Sequence, residues 1–369
     1  MMKKADNALV TKLNHWIFEE YWVPPGALSL YRIVYALFVL LVVGSPPFRW
    51  ISGKPSIFFD PPTYSLTNLF HDFPPAYFFW GLDAAITVLL VSLLFGFRTR
   101  WTSWLLAIGL FTGFSWSYAY GKINHDTLLM SLVPLVMGFS NWGAHFSFDQ
   151  KRSDGLLPRE RHWPVALLAL LLGFAMFTAG VPKLLSGWLD PATQAVQGYT
   201  LRQHYDFFAD QLLAPWFVKF DNPLFWEVLD YSAVVFEVGF LLAVARQPLF
   251  RFFVALAVFF HVANCFMLNI DFSRNVALYL LFIDWSTPLK QFNERVWPKL
   301  KKFVTVRGLV VGCGFFLLYY LLETPPAFRV ITLLLGLSSL ASGALLMIAA
   351  CAFFGTNFLK SRLPRRYVS

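Results

Sequence analysis

The chain has 369 residues, of which 57% are hydrophobic, 19% aromatic and only 14% charged. A soluble domain carries roughly a quarter charged residues, so this composition excludes one. The net charge of +9 would suggest nucleic acid in a soluble protein. Here it fits the Lys and Arg that membrane proteins gather in cytoplasmic loops.

Residues 1–26 start basic but lack the compact apolar core and small-residue cleavage site of a signal peptide. Within them "TKLNHWIFEEYW" puts Leu13, Trp16, Ile17 and Tyr21 on one helical stripe. That pattern predicts an amphipathic helix lying on the membrane face. Ten apolar runs then predict spans at 27–44, 76–95, 101–118, 124–140, 164–186, 226–245, 249–270, 274–286, 306–322 and 329–353. The eighth is short, which leaves nine as the alternative count. With the N-terminus inside, 21 Lys and Arg fall in inner segments and 7 in outer ones, while Arg32 and Lys183 lie within spans. This asymmetry predicts an all-α polytopic integral membrane helical bundle of nine to ten transmembrane helices, both termini cytoplasmic. Residues 291–369 add the last helices and a basic tail.

Two outer segments are long, 45–75 with "FFDPPTYSLTNLFHDFPP" and 187–225 with "GYTLRQHYDFF". Such segments serve as binding loops or as ordered aromatic belts at the interface. The cysteines Cys265, Cys313 and Cys351 all sit in apolar runs, with no metal or disulfide spacing. No Walker motif, dinucleotide glycine fingerprint, G-x-S-x-G or H-E-x-x-H occurs.

The chemistry therefore rests on ionisable groups inside the spans. Each costs roughly 2.5–3.5 kcal/mol or more at the bilayer centre unless paired or hydrated. Lys183 closes the fifth span in "GFAMFTAGVPKLLSGWLD", directly after Pro182. Pro182 removes the hydrogen bond to the Thr178 carbonyl and predicts a bend. A lysine at such a bend points either to the headgroups, by snorkelling, or into a cavity, where desolvation makes its amine available as a base. Asn124 and His125 begin the fourth span beside Asp126, as helix-terminal groups or as a hydrogen-bonding pair for a ligand. Asp83, Glu237 and the His261–Asn264 pair, one turn apart, read as inter-helix hydrogen bonds or as further site residues. Arg32, near the inner end of the first span, is expected to snorkel.

At these residues the chain resembles a known family. "AGVPKLLSGW" is similar to the A-G-V-x-K-L segment of vitamin K-dependent gamma-glutamyl carboxylases, which group with the bacterial HTTM (horizontally transferred transmembrane) proteins. "INHDTLL" looks like the Asn-His segment of that family. "LSLYRIVYAL", "FGFRTRWTSWLL" and "HFSFDQKR" resemble other HTTM pieces in the same order, over roughly residues 15–290. The resemblance implies that Lys183 is the base that deprotonates a vitamin K hydroquinone or menaquinol-like quinol, with His125 beside it. It implies cofactor contact by Asn124, and we group His261, Asn264, Glu237 and Asp83 with that site. Oxygenation of the quinol would then yield a strong base, removal of a glutamate γ-proton and capture of carbon dioxide. The site would face the outer side of a bacterial inner membrane.

Two departures stand beside the resemblance. Pro182 occupies the place of a second lysine, and a large extramembrane region is expected to follow the membrane domain, where this chain has "KSRLPRRYVS". A quinol-binding enzyme with another acceptor is the expectation they favour. The alternatives are a transporter, suggested by the midplane acid Glu237, and a non-catalytic maturation or immunity partner of a secreted peptide. No metal is expected, and membrane lipids and a quinone are the expected partners.

Overall fold

Sixteen α-helices follow one another in the computed structural model, which describes residues 2–44, 48–63, 65–121, 123–152, 162–322 and 326–362. For residues 2–7, 151–152 and 360–362 only the backbone is described. The basic tail at 363–369 lies outside the described residues. In chain order the helices are α1 (Met2–His15), α2 (Pro25–Phe38), α3 (Ala76–Phe95), α4 (Thr99–Tyr118), α5 (His125–Met137) and α6 (Trp163–Leu185). Then come α7 (Ala195–Phe207), α8 (Ala214–Val218), α9 (Pro223–Ala243), α10 (Gln247–Leu268) and α11 (Val276–Tyr279). The last are α12 (Ser286–Gln291), α13 (Trp297–Leu300), α14 (Val306–Leu321), α15 (Ala327–Leu334) and α16 (Ser339–Arg362). Among the described residues there is no strand, only an isolated bridge between Asp60 and Tyr120.

Five helices are long and apolar enough to cross a membrane: Pro25–Val43, α3, α6, α10 and Ser339–Leu359 within α16. The pair Ser286–Phe303 and Val306–Leu321, bent by 89°, makes a sixth if it forms one span. The chain is thus an all-helical integral membrane protein. The remaining expected spans differ for identifiable reasons. At 124–140 the helix α5 has only 13 residues. Residues 274–286 form short turns, Ser273–Asn275, α11 and Leu280–Phe282, in place of a span. The run at 329–353 breaks between α15 and α16, at Gly336 with φ 72°. In α4, Trp, Ser, Thr and Gly dilute the apolar residues. In α9, every 18-residue window holds Glu227, Asp230 and Glu237.

Two compact units result, residues 1–168 with 285–331 and residues 169–284 with 332–369. In the first, α3 packs against α2, α4 and α14. Tyr35 is fully buried and its hydroxyl donates to the Met130 carbonyl at 2.9 Å. Arg32 does not snorkel: it is fully buried, and its Nη2 donates to the Phe146 carbonyl at 2.6 Å. Room for it comes from Gly96, where a Cβ would lie 2.1 Å from Arg32 Nη1. The described part of 45–75 folds as an aromatic layer over the end of α4. Trp50 and Phe73 stack on Tyr120, and Phe59 and Phe70 pack on Trp116. In the same layer the Ser56 hydroxyl and then the Phe73 amide hold the Asp72 carboxyl below its ordinary range.

In the second unit α6 and α9 run antiparallel. A Cβ on Gly173 would meet Val244, Leu241 and Phe240, and one on Gly180 would meet Glu237 and Val238. These two glycines, seven residues apart, lie on one face of α6 and let the backbones approach closely, as small residues do between membrane helices. α10 packs along α16 and also meets α9 through the Phe236–Phe260 and Phe240–Phe253 ring pairs.

A Cβ on Gly180 would lie 2.8 Å from Glu237 Cβ and 3.0 Å from the Val238 amide nitrogen. Gly180→Ala should therefore destabilise the detergent-purified protein by about 1–3 kcal/mol through overpacking. Gly81→Ala, in a helix with open space around the added methyl, should cost nothing; thermal unfolding of the two variants side by side measures the difference.

Candidate functional site

α6 remains helical through Pro182 and ends at Leu185, so Lys183 lies in its last turn, where a cation complements the exposed carbonyls. The close approach at Gly180 brings α9 alongside, one turn before Lys183. Glu237 of α9 then faces the lysine. Nζ donates to both carboxylate oxygens, at 2.5 and 2.6 Å. The Glu237 side chain is 6% exposed and that of Lys183 is 24% exposed. The pair is closed on the α9 side and open at the lysine. Trp188 lies beyond it, its ring centre 5.0 Å from Nζ.

The segment that carries Trp188 is tied to α9. Tyr231 donates through its hydroxyl to the Leu189 carbonyl at 3.1 Å. Asp230, fully buried, accepts from the Ala195 and Val196 amides at 2.8 and 2.7 Å and so caps the start of α7. Asp230 and Glu237 are seven residues apart and share one face of α9. Glu227, one turn before Asp230, has both carboxylate oxygens enclosed and no hydrogen-bond partner among the described residues. Beneath α7, the Trp226 side chain packs with Met267, Leu268, Phe217 and Phe220. The segment 187–225 thus carries two helices, α7 and α8.

A second polar group lies deeper in the same unit. His261 is 3% exposed. Its Nε2 is 2.9 Å from the Tyr279 hydroxyl and 3.4 Å from Asn275 Nδ2. Phe272 stacks on the imidazole at 4.3 Å, and the Tyr279 ring lies parallel to it at 6.0 Å. His261 Nδ1 and Asn275 Oδ1 find no partner among the described residues. The Asn264 side chain, one turn along α10 from His261, is half-buried and makes no hydrogen bond among the described residues. Glu237 and His261 each follow one member of the Phe236–Phe260 ring pair, whose centres are 5.1 Å apart.

The other expected site residues belong to the first unit. Asp83 is fully buried, and its oxygens accept from the Phe48 amide at 2.9 Å, the Arg49 amide at 3.1 Å and the Tyr320 hydroxyl at 2.6 Å. The Arg49 guanidinium lies over the Tyr320 and Trp80 rings. Asp83 thus fastens the entry of the 48–75 segment to α3 and α14. Asn124 occupies the N-cap position of α5 without capping it through its side chain, and both Asn124 and His125 are exposed. The Asn124 carbonyl accepts from the Thr127 and Tyr118 hydroxyls.

Sequence reasoning overlooked Tyr279, Asn275, Trp188 and Asp230. Asp230 carried a signal, its seven-residue spacing from Glu237. Tyr279 and Asn275 carried none, because the chain reverses between α10 and α11. Among the described residues no group of His, Cys, Asp and Glu side chains has the arrangement of a metal site. Comparison with protein-family models, curated proteins and solved structures finds no match.

Removing one member of a buried ion pair leaves the other uncompensated. Lys183→Met and Glu237→Gln should each cost up to about 3 kcal/mol, below the fully buried limit because Lys183 is part-exposed. The double variant Lys183→Met/Glu237→Leu should recover most of that loss in detergent unfolding. Asp83→Asn should lower stability by about 1–3 kcal/mol, since an amide cannot accept all three hydrogen bonds; Tyr320→Phe should cost about 1 kcal/mol.

Proposed function

We propose that this protein is a membrane enzyme in which the Lys183–Glu237 pair takes the phenolic proton of a lipid-soluble quinol. The observation that carries this reading is the lysine held on both oxygens of a carboxylate in the last turn of an apolar helix, with its side chain part-exposed. An isolated desolvated amine was the expectation from sequence. A lysine paired with a carboxylate shares its protons with that partner, so the pair is the acid–base unit. In the paired state the carboxylate is the acceptor and the ammonium the donor. The O–H bond of the quinol would break, and the proton would reside on the Glu237 side of the pair while Lys183 keeps its charge beside the oxygen left behind. That charge is placed where negative charge develops.

The quinol itself supplies the reducing equivalents toward oxygen. The residues fit such a ligand in two respects. The pair is reached from the lysine side, and Trp188 gives that side an aromatic wall. Carboxylation of glutamate or of another acceptor, with carbon dioxide as co-substrate, is the reaction class that the family likeness supports.

The same reading extends to topology. α9 falls short of a membrane span only through its three acids, and two of these are internally compensated, Glu237 by Lys183 and Asp230 by backbone amides. Its cost of insertion is thus lower than its composition suggests. We count α4, α5 and α9 as further spans, which with the five long helices and the bent pair gives nine, the N-terminus being cytoplasmic. The Lys183 end of α6 then faces the outer side of a bacterial inner membrane.

In proteoliposomes supplied with reduced menaquinone or vitamin K, the wild type should show quinol-dependent oxygen consumption. Lys183→Ala and Glu237→Gln should each lower it by about 10²- to 10⁴-fold, the range for loss of a general acid–base group. Unchanged turnover in both variants rejects the reading. Proteoliposome flux that responds to Glu237→Gln, with oxygen consumption absent throughout, would replace it with that of a transporter.

A further inference from the structure

α3 ends at Phe95, and Gly96 turns the chain in the left-handed region (φ 66°) toward α4. At this corner of the first unit lies a cavity of about 530 Å³, within the roughly 300–1,000 Å³ of small-molecule sites. Arg98, Thr99, Arg100, Trp101, Ser140 and Asp149 contribute to its lining. Asp149 is already engaged, since its oxygens accept from the Arg98 and Thr99 amides at 3.1 and 2.6 Å. The arginines are not: neither Arg98 nor Arg100 makes an ion pair or hydrogen bond through its guanidinium among the described residues. Arg100 lies over the Trp104 ring at 5.3 Å and Arg98 over Phe97 at 6.0 Å. Thr99 is 3% exposed and its hydroxyl oxygen has no partner among the described residues. Behind Gly96 lies the buried Arg32 guanidinium. Among the described residues the corner therefore holds three cations against one carboxylate.

Its setting says what kind of anion suits it. α3 is a candidate span, so its end marks the depth of the headgroups. Phe97, Trp101 and Phe139 are exposed around the corner, Trp101 by 62%. Exposed aromatic rings at a helix end are the signature of the membrane–water interface, and basic pockets between helices at that level take anionic lipid headgroups. The geometry points to a binding site for the phosphodiester of an anionic phospholipid, with Arg98 and Arg100 on the phosphate, Thr99 and Ser140 toward the headgroup hydroxyls, and Trp101 against the acyl-chain boundary. This site is independent of the Lys183–Glu237 pair.

The test uses the full-length protein extracted from vesicles of equal phosphatidylglycerol and phosphatidylcholine, with retained lipid counted by native mass spectrometry. Wild type should retain phosphatidylglycerol in preference. Arg100→Gln should weaken that retention by roughly fivefold, as expected for one charge near a headgroup, and Thr99→Val should weaken it with no change in fold. Inorganic phosphate should not displace the lipid. Equal retention of phosphatidylcholine, or retention untouched by both variants, overturns the proposal. Displacement by inorganic phosphate overturns it in favour of a soluble phosphate ligand. If Arg100→Gln fails to fold, the thermal stability of the wild type decides: phosphatidylglycerol must raise it more than phosphatidylcholine does, and equal effects reject the site.

Discussion

A bilayer core offers no water to a polar group, so each charge or amide placed there must be satisfied from within the chain. Much of this architecture follows from how three aspartates, Asp149 at the headgroup level among them, satisfy backbone amides. Asp83 accepts from the successive amides of Phe48 and Arg49, Asp149 from those of Arg98 and Thr99, and Asp230 from those of Ala195 and Val196. In each case one carboxylate serves two donors at the start of a helical segment 34 to 51 positions away. The aspartate gains charge-assisted hydrogen bonds, and the helix start loses two of its unsatisfied N–H groups. The result fixes where the loop before α3, the corner before α4 and the start of α7 must lie.

Lys183 and Glu237 obey the same rule with a different outcome. Their partners are side chains, and both can exchange protons. The glycine seam of α6 brings the helices close enough for a short, two-oxygen contact, while the last turn of α6 leaves the Lys183 side chain part-exposed. A structural clamp such as Asp83 is sealed by three donors. The Lys183–Glu237 pair is instead part-exposed on the lysine side. His261 stands between the two cases: its Nε2 is engaged by Tyr279, its Nδ1 is not, and aromatic rings stack on its face.

The membrane class, the all-helical fold and most helix positions were legible in the sequence, because length and uninterrupted apolarity follow directly from residue type. α2, α3, α6, α10 and the core of α16 fall where apolar runs predict them. The run at 274–286 was misleading, since apolar composition does not distinguish a short buried stretch of turns from a span. Arg32 was misleading for a related reason: its burial depends on the space left by Gly96, far along the chain. The importance of Lys183 and Glu237 was visible because an ionisable residue in an apolar run is costly wherever it points.

What the sequence determined by itself was therefore the solvent of this protein and the residues that solvent would punish. It did not determine their partners. That Lys183 meets Glu237, that His261 meets Tyr279, and that Asp83 spends its carboxylate on a loop and on Tyr320 were decided by tertiary structure. The physical reason is range. Helix periodicity relates residues a turn or two apart, whereas these bonds join residues 18 to 237 positions apart, and only packed backbones bring such groups within hydrogen-bonding distance.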